Sequence, residues 1–234
     1  MAGHSGLAFG DTLFLFFQYL ILGYFVFICC SYAILTFLGL RSILHYNRLM
    51  SPQTIRPLLQ SRAYRAISIL VPAYNEEKSI VASVRSLLSL HYPAYEIIVV
   101  SDGSRDGTID RLRAAYGLHE IALSTYHELI PAKAVRRLFR SMQYPHLVVA
   151  EKDNGGKADA LNVALNLAQY PLICAVDADS TLDVQALVRT AYLFIEDDST
   201  IAVGGTVRPL NGAVIHEGQL TEIRLPSNWL ERLQ

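Results

Sequence analysis

The 234-residue chain is poor in cysteine and carries almost no net charge. Its three cysteines, Cys29, Cys30 and Cys174, lack the spacing of a zinc site and suggest a reducing compartment without a disulfide framework. A formal net charge of −1 gives no bulk positive charge for nucleic acid, so no nucleic-acid partner is predicted. No G-x-G-x-x-G follows a predicted strand, which argues against a nicotinamide or flavin cofactor.

Charged residues are also missing from positions 12–40. A helix needs about 20 apolar residues to cross a bilayer, so this stretch predicts one transmembrane helix. A cleaved signal peptide is the main alternative, but no lysine or arginine precedes the stretch, and signal-peptide cores have only about 7–15 apolar residues. Arginines follow the stretch, and positive charge stays on the cytoplasmic side. We therefore expect residues 1–11 outside the cell (inner) membrane, with a basic linker, residues 41–65, and everything after it in the cytoplasm.

From residue 66 onward, short apolar runs alternate with helical patterns. Strands that are apolar on both faces and alternate with helices predict an α/β domain over residues 66–234, with a mostly parallel sheet covered on both sides. Residues 118–145 interrupt this alternation. Their basic stretch "PAKAVRRLFRSM" is interpreted as a solvated helix, with contact to anionic lipid headgroups or an acidic ligand as the alternative. The predicted strands are 67–74, 95–102, 146–151, 172–179 and 201–207, and the predicted helices are 77–90, 108–117, 157–168 and 184–195.

Four polar clusters follow predicted strands: "PAYNEE", "SDGSRDG", "KDNGGKAD" and "DADS". Ligands of open α/β sheets gather outside the carboxyl ends of the strands. In the last cluster Asp177 and Asp179 are two residues apart, so in an extended chain both carboxylates point the same way. Such a pair suits Mg²⁺ or Mn²⁺ with phosphate oxygens completing the coordination, and two solvated aspartates in a surface turn are the alternative.

The stretch "NGGKADALN" looks at first like a phosphate-binding P-loop. It fails because Glu151 stands where the first glycine is required and because Ala158 follows the lysine in place of serine or threonine. A Gly155-Gly156 turn that opens a helix remains, with Lys157 in its first turn. Helix N-terminal amides and an ammonium group both favour an anion, although an ordinary helix start has the same pattern.

The stretch "SDGSRDGTIDRLR" has two incompatible interpretations: a calcium-binding loop, or a turn at the end of a buried strand where a nucleotide binds. The calcium loop fails because Arg113 occupies the position of the bidentate glutamate and because the β-branched run "EIIVVS" favours an entering strand. Asp102 at the strand end is then the candidate ligand-binding residue. Residues 106–108 are expected to form the turn and to cap the next helix.

Together, "ILVPAYNEEKSI", "VVSDGSRDGT", "KDNGGKADALNVAL" and "CAVDADS" occur in the order and spacing of family 2 glycosyltransferases with the GT-A fold. The chain resembles most the membrane-bound, processive branch that includes poly-N-acetylglucosamine, hyaluronan and cellulose synthases, over about residues 66–210. The resemblance implies an inverting transferase that uses a nucleotide-diphosphate sugar, usually UDP-linked. Its product would be a cell-surface or extracellular polysaccharide, extended on a glycan or lipid-linked acceptor.

The resemblance also implies roles for individual residues. The loop after the first strand would line the uridine pocket, and Asp102 would contact the uracil or ribose. Lys157 would lie near the donor, and Asp177 with Asp179 would be the Asp-X-Asp motif that holds Mg²⁺ or Mn²⁺ against the diphosphate. The predicted nucleotide-sugar-binding residues are Pro72, Ala73, Tyr74, Asn75, Glu76, Asp102, Gly103, Ser104, Lys157 and Asp177.

The chain departs from the family at the general base, which the resemblance places in an acidic motif well downstream of Asp-X-Asp. The pair Glu196-Asp197 follows Asp179 too closely and is interpreted as a solvated helix end. The final "NWLERLQ" begins a helical pattern that stops at Gln234 without a cap. We therefore expect the N-terminal part of a longer enzyme, which keeps the donor and metal site but lacks the base, expected beyond Gln234. The alternatives are an inactive nucleotide-sugar-binding membrane module and a non-processive transferase to a lipid phosphate.

Overall fold

The computed structural model describes residues 4–49, 64–205, 213–216 and 219–223. The chain divides into two compact units, Met1–Thr54 and Ile55–Gln234.

The first unit contains one long helix, α1, from His4 to Leu49. Its segment Leu13–Leu44 is long and apolar enough to cross a membrane. The helix continues past the apolar stretch, because neither proline nor glycine occurs between Arg41 and Leu49 to end it. The predicted linker of residues 41–65 therefore begins as helix, and its residues 50–63 lie outside the described residues.

The second unit alternates strands and helices close to the predicted positions. Residues 201–205 form no strand, and the remainder of the predicted strand 201–207 lies outside the described residues. The helices are α2 (Ile80–Leu88), α3 (Thr108–Tyr116), α4 (Lys157–Leu167) and α5 (Ala186–Glu196), with one 3₁₀ turn at Leu123–Thr125. The strands are β1 (Ile67–Ala73), β2 (Tyr95–Asp102), β3 (Leu118–Ile121), β4 (Val135–Ser141), β5 (Leu147–Lys152), β6 (Leu172–Ala175), β7 (Ala213–His216) and β8 (Gln219–Ile223).

Six strands form one sheet in the order β3-β4-β5-β2-β1-β6, and β7 pairs with β8 separately. The four strands β5, β2, β1 and β6 are parallel, whereas β3 and β4 add an antiparallel edge. The predicted α/β class with a mostly parallel sheet is confirmed. The carboxyl ends of parallel strands lie along the same side of a sheet. The loops that follow β5, β2, β1 and β6 therefore all emerge along this side, which we call the carboxyl edge.

The predicted helix in "PAKAVRRLFRSM" is wrong, because this stretch forms β4. Pairing with β5 supplies its backbone hydrogen bonds, and Leu138 and Phe139 are buried in the sheet. Arg137 contacts Glu151 in β5, and Arg136 contacts Asp153 just after it. A local charge pattern could not reveal a partner strand that follows later in the chain.

Both faces of the central sheet are covered. On one face, the small residues Ala160 and Ala164 let α4 pack closely on a cluster that includes Leu70 and Ile98. Side chains alternate between the faces of a strand, so the next residue along β1, Val71, faces the opposite side, and it is buried as well. The polar loops at the carboxyl edge are thus carried by strands that are fixed from both sides.

His146 provides a test of this packing. It lies just before β5 between the rings of Tyr95 and Tyr144, with centroid distances of 5.3 and 6.3 Å. Its Nε2 atom is buried and has no hydrogen-bond partner among the described residues. Burial lowers the pKa of His146 below its ordinary value. The folded state therefore favours the neutral ring, and the associated stability is present above about pH 6.5 and declines as the pH falls towards the lowered pKa.

We expect His146→Phe to make the free energy of unfolding less sensitive to pH between about 7 and 5 than in the wild type. Urea denaturation of the full chain at several pH values in this range measures the effect. His119→Phe, at an exposed position of β3, is the control and should keep the wild-type dependence. An unchanged pH dependence in His146→Phe would contradict the assignment.

Candidate functional site

The four polar clusters meet at the carboxyl edge of the sheet, as their positions after parallel strands predict. Their order across the edge follows the strand order β5, β2, β1, β6. Contacts join the β1 loop to the β2 loop and the β2 loop to the β5 loop. Lys157, which follows the β5 loop, reaches Asp177 in the β6 loop, at the other end of this order. The edge is therefore one continuous surface.

Asn75 joins the β1 loop to the β2 loop. Its backbone N–H donates to Ser104 Oγ at 3.1 Å, and its Oδ1 accepts from the N–H of Arg105 at 2.9 Å. Its φ of 56° is left-handed, a conformation in which asparagine is several-fold enriched among non-glycine residues. This residue was predicted to line a nucleoside pocket, and in the structure it holds two loops together.

The other predicted residues of the β1 loop differ in exposure. Pro72 is half-buried and Ala73 is buried at the end of β1. The carboxylate of Glu76 accepts a hydrogen bond from the hydroxyl of Ser79, next to the start of α2. Tyr74 is 49% exposed. It is the residue of this loop whose ring is available for a ligand.

Asp102 ends β2 and is only 3% exposed. One carboxylate oxygen accepts from Lys152 Nζ at 2.6 Å and from the N–H of Gly155 at 2.9 Å. The other accepts from the N–H of Gly156 at 2.7 Å. These three donors use most of the roughly four acceptor sites of the carboxylate. The contact of Asp102 with uracil or ribose stays a prediction.

Lys152 ends β5 and is completely buried. Its ammonium group contacts Asp102 Oδ1 at 2.6 Å, Asp159 Oδ1 at 2.5 Å and the carbonyl oxygen of Asp153 at 2.5 Å. An ammonium group has three protons, so all of them have acceptors. The hydrogen bond from Lys152 holds the pKa of Asp159 below its ordinary value.

The sequence analysis missed Lys152 and Asp159, although both stand in the quoted "KDNGGKAD" cluster. The available signal was a lysine at the end of an otherwise apolar strand, since a buried lysine requires acidic partners. We refer below to Asp102, Lys152 and Asp159 as the buried ion cluster.

Two glycines shape the loops around the buried ion cluster. Gly103 has φ 68°, and a Cβ atom there would lie 2.7 Å from the backbone nitrogen of Asn154. Gly156 has φ 91° and immediately precedes α4. The predicted anion site at this helix start is therefore partly filled by the protein itself, because the Gly155 and Gly156 amides bind Asp102.

Lys157, Asp177 and Asp179 lie on the exposed side of the edge. Val176 and Ala178 are buried, whereas Asp177 and Asp179 are exposed. Contrary to expectation, the chain is not extended here, because β6 ends at Ala175 and the N–H of Ser180 donates to the carbonyl oxygen of Asp177 at 3.0 Å, which makes a turn. The ammonium group of Lys157 contacts Asp177 Oδ1, and the two side chains are 62% and 55% exposed.

Asp177 and Asp179 fit a hard divalent cation that is bound together with a phosphate ligand. Carboxylate oxygens are the ligands that Mg²⁺ prefers, and a Mg²⁺ site commonly uses one or two carboxylates plus substrate phosphates. Within the described part of the chain, no group of three or more histidine, cysteine, aspartate or glutamate residues could hold a metal ion. The two aspartates alone would therefore leave positions open for phosphate oxygens and water.

Glu196 and Asp197 lie at the end of α5, as interpreted from the sequence. The carboxylate of Asp197 accepts from the N–H of Ser199 at 2.9 Å and from its hydroxyl at 2.6 Å. These hydrogen bonds lower the pKa of Asp197 and engage the carboxylate in the turn that follows the helix.

Comparison with known proteins gives one family. The family model "Glycosyl transferase family 2" matches residues 68–228. A poly-beta-1,6-N-acetyl-D-glucosamine synthase of Staphylococcus epidermidis is 28% identical over 170 residues, which cover 73% of this chain and 34% of that protein. The chain spans about a third of the length of the curated relatives it matches.

Two solved structures are similar in fold. The mannosyltransferase PcManGT from Pyrobaculum calidifontis, in complex with GDP-Man and Mn²⁺, has 24% identity and a TM-score of 0.43, covering 56% of this chain and 32% of that one. S. aureus TarS 1–349, in complex with UDP-GlcNAc, has 24% identity and a TM-score of 0.43, covering 63% and 38%.

The buried ion cluster predicts a large stability effect at Asp102. Asp102→Asn removes one charge partner of a fully buried lysine, and losing a partner from a buried pair costs about 3–5 kcal/mol. We expect a loss of about 3 kcal/mol, the lower end of that range, because Asp159 still contacts Lys152.

Chemical denaturation of the full chain in detergent measures this loss. Asp110→Asn is the matched control, because Asp110 is exposed in the first turn of α3 and its charge there is worth about 1 kcal/mol or less. Equal losses in the two variants would show that the buried ion cluster contributes no more than a surface charge.

Proposed function

Because this chain belongs to glycosyl transferase family 2, we propose that it binds a UDP-linked sugar at the carboxyl edge and takes part in inverting transfer to a polysaccharide. The observation that carries the proposal is the group of exposed side chains on this edge: Tyr74, Lys157, Asp177 and Asp179. They combine an aromatic ring, a cation and two carboxylates, which match a base, a diphosphate and a divalent ion. The relatives named as poly-N-acetylglucosamine synthases support a polysaccharide product.

In the proposed donor complex, each exposed group has one task. The ring of Tyr74 provides an apolar face for the base. Asp177 and Asp179 hold Mg²⁺ or Mn²⁺, which when bound neutralises the charge that develops on the diphosphate as the sugar–phosphate bond breaks. Lys157 adds a second positive charge beside the diphosphate. The buried ion cluster positions Lys157 through the Gly155 and Gly156 amides.

Transfer then proceeds by displacement at the anomeric carbon. A hydroxyl oxygen of the glycan or lipid-linked acceptor forms the new bond on the face opposite the diphosphate, so the anomeric centre inverts as UDP leaves. The hydroxyl proton requires a general base, for which a glutamate or aspartate carboxylate is a candidate. Glu196 and Asp197 end α5 and Asp197 is engaged with Ser199, so we propose that the base lies outside the described residues.

We propose further that α1 anchors the chain in the cell (inner) membrane, with its N-terminus outside and the transferase domain in the cytoplasm. The length and apolarity of Leu13–Leu44 support the anchor. The arginines that follow the apolar stretch, together with the absence of lysine and arginine before it, support the orientation.

The donor site is tested by calorimetric titration of UDP into the detergent-solubilised full chain, with and without Mn²⁺. We expect Mn²⁺ to strengthen binding of UDP to the wild type by about tenfold or more, equivalent to about 1.4 kcal/mol. Asp177→Asn/Asp179→Asn should lose this dependence, because the cation has lost its ligands. Asp110→Asn should retain it.

Equal metal dependence in the wild type and the double variant would refute the metal assignment. GDP titrated under the same conditions should bind more weakly than UDP, and equal binding of the two nucleotides would refute the uridine preference.

The membrane orientation is tested by single cysteines in a chain whose three native cysteines are replaced by serine. A membrane-impermeant maleimide applied to intact cells should label Ser5→Cys and should leave Asp110→Cys unlabelled until lysis. The reverse pattern would contradict the proposed orientation. Protection of both positions until lysis would contradict the spanning helix itself.

A further inference from the structure

Two groups of the proposed donor site already bind each other. The ammonium group of Lys157 contacts Asp177 Oδ1, which joins the start of α4 to the loop after β6. Lys157 is the proposed partner of the diphosphate, and Asp177 is one of two proposed ligands of the cation. The contact therefore occupies both partners at once.

The backbones at both ends of this ion pair are fixed. On the Lys157 side, the amides of Gly155 and Gly156 bind the buried carboxylate of Asp102. On the Asp177 side, Val176 N–H donates to Leu70 O at 2.9 Å, and the Asp177 carbonyl accepts from the N–H of Ser180 at 3.0 Å. Breaking the pair therefore requires only that two side chains rotate.

The pair is also weak enough to exchange. Both side chains are more than half exposed, so water and salt screen their attraction, and exposed pairs contribute little to stability. Asp179, the other proposed ligand, makes no ion pair within the described part of the chain. Lys157 thus neutralises one of the two carboxylates of the proposed metal site and leaves the other available.

We infer that Asp177 is an exchange point: it holds Lys157 while the donor is absent and releases it when a divalent cation and a diphosphate bind together. Asp177 then accepts the cation, and the freed ammonium group of Lys157 pairs with the diphosphate. The inference rests on the donor site proposed above and describes its regulation.

Exchange at Asp177 has a thermodynamic consequence. A cation that binds alone must compete with Lys157 for Asp177, so its affinity is reduced. A cation that binds with UDP meets no such competition, because the diphosphate retains Lys157. Cation and UDP therefore strengthen each other's binding by the same factor, and part of that factor comes from Lys157.

The test is Lys157→Gln in the detergent-solubilised full chain. Electron paramagnetic resonance of free Mn²⁺ gives the Mn²⁺ affinity without nucleotide, and calorimetry gives the UDP affinity with Mn²⁺ present. We expect Mn²⁺ alone to bind about two- to fivefold more tightly to the variant, the range given by exposed ion pairs. UDP should bind more weakly to it. These opposite changes are the signature of exchange, since loss of a simple phosphate contact would leave the affinity for Mn²⁺ alone unchanged.

Lys133→Gln is the matched control. Lys133 is exposed, and its ammonium group donates to the carbonyl oxygen of Asn154 at 2.6 Å in the same loop that precedes Lys157. Its removal changes the net charge of this region equally but frees no carboxylate of the metal site. We expect no gain in Mn²⁺ affinity. An equal gain in both variants would overturn the exchange in favour of general charge repulsion.

The remaining outcomes separate the two proposals. If the wild type binds Mn²⁺ and UDP, but Lys157→Gln leaves the affinity for Mn²⁺ unchanged or weakens it, the exchange alone is overturned. Wild type that binds neither would overturn the proposed donor site and the exchange with it.

Discussion

The functional edge of this protein depends on one buried lysine. Removing an ammonium group from water is costly unless it is paired and hydrogen-bonded, and Lys152 satisfies this requirement with Asp102 and Asp159. The requirement brings the β5 loop against the end of β2 and the first turn of α4 against the same charge. The turn at Gly155-Gly156 closes on Asp102 as a result, and the next residue, Lys157, faces the solvent.

The edge therefore has two layers with different tasks. The inner layer consists of polar groups that bind one another, such as Asp102 with the glycine amides and Asn75 with the β2 loop. The outer layer consists of exposed groups with ligand chemistry, among them Tyr74 and Asp179. Because the inner layer satisfies its own hydrogen bonds, the outer side chains stand on a backbone that is fixed before any ligand arrives.

The sequence predicted features that depend on local geometry. Polar residues after apolar strands located the edge, and the helix predicted over residues 108–117 ends at Tyr116, with Gly117 following it in the left-handed conformation. Features that depend on distant partners were missed. β4 was taken for a helix because its pairing with β5 is invisible in its own pattern. The pairing of Asp102 with Lys152 was not predicted, because the two residues lie 50 positions apart in the chain. A carboxylate at a strand end can face a bound ligand or a partner within the protein, and which of the two it faces depends on the neighbouring loop.

Asn75 holds the β1 loop in place. Substitutions of the exposed residue Tyr74 therefore differ in their consequences from substitutions of the residues that hold the loop. Asn75 uses its backbone and its side-chain oxygen to hold the loop, and Glu76 donates its N–H to Thr108 Oγ1 at 3.0 Å. Tyr74, directly before them, is half exposed. Position 74 can therefore change its side chain while the contacts that shape the loop persist. In the donor complex proposed above, the choice of nucleobase can therefore change by single substitutions at position 74 without loss of the folded loop.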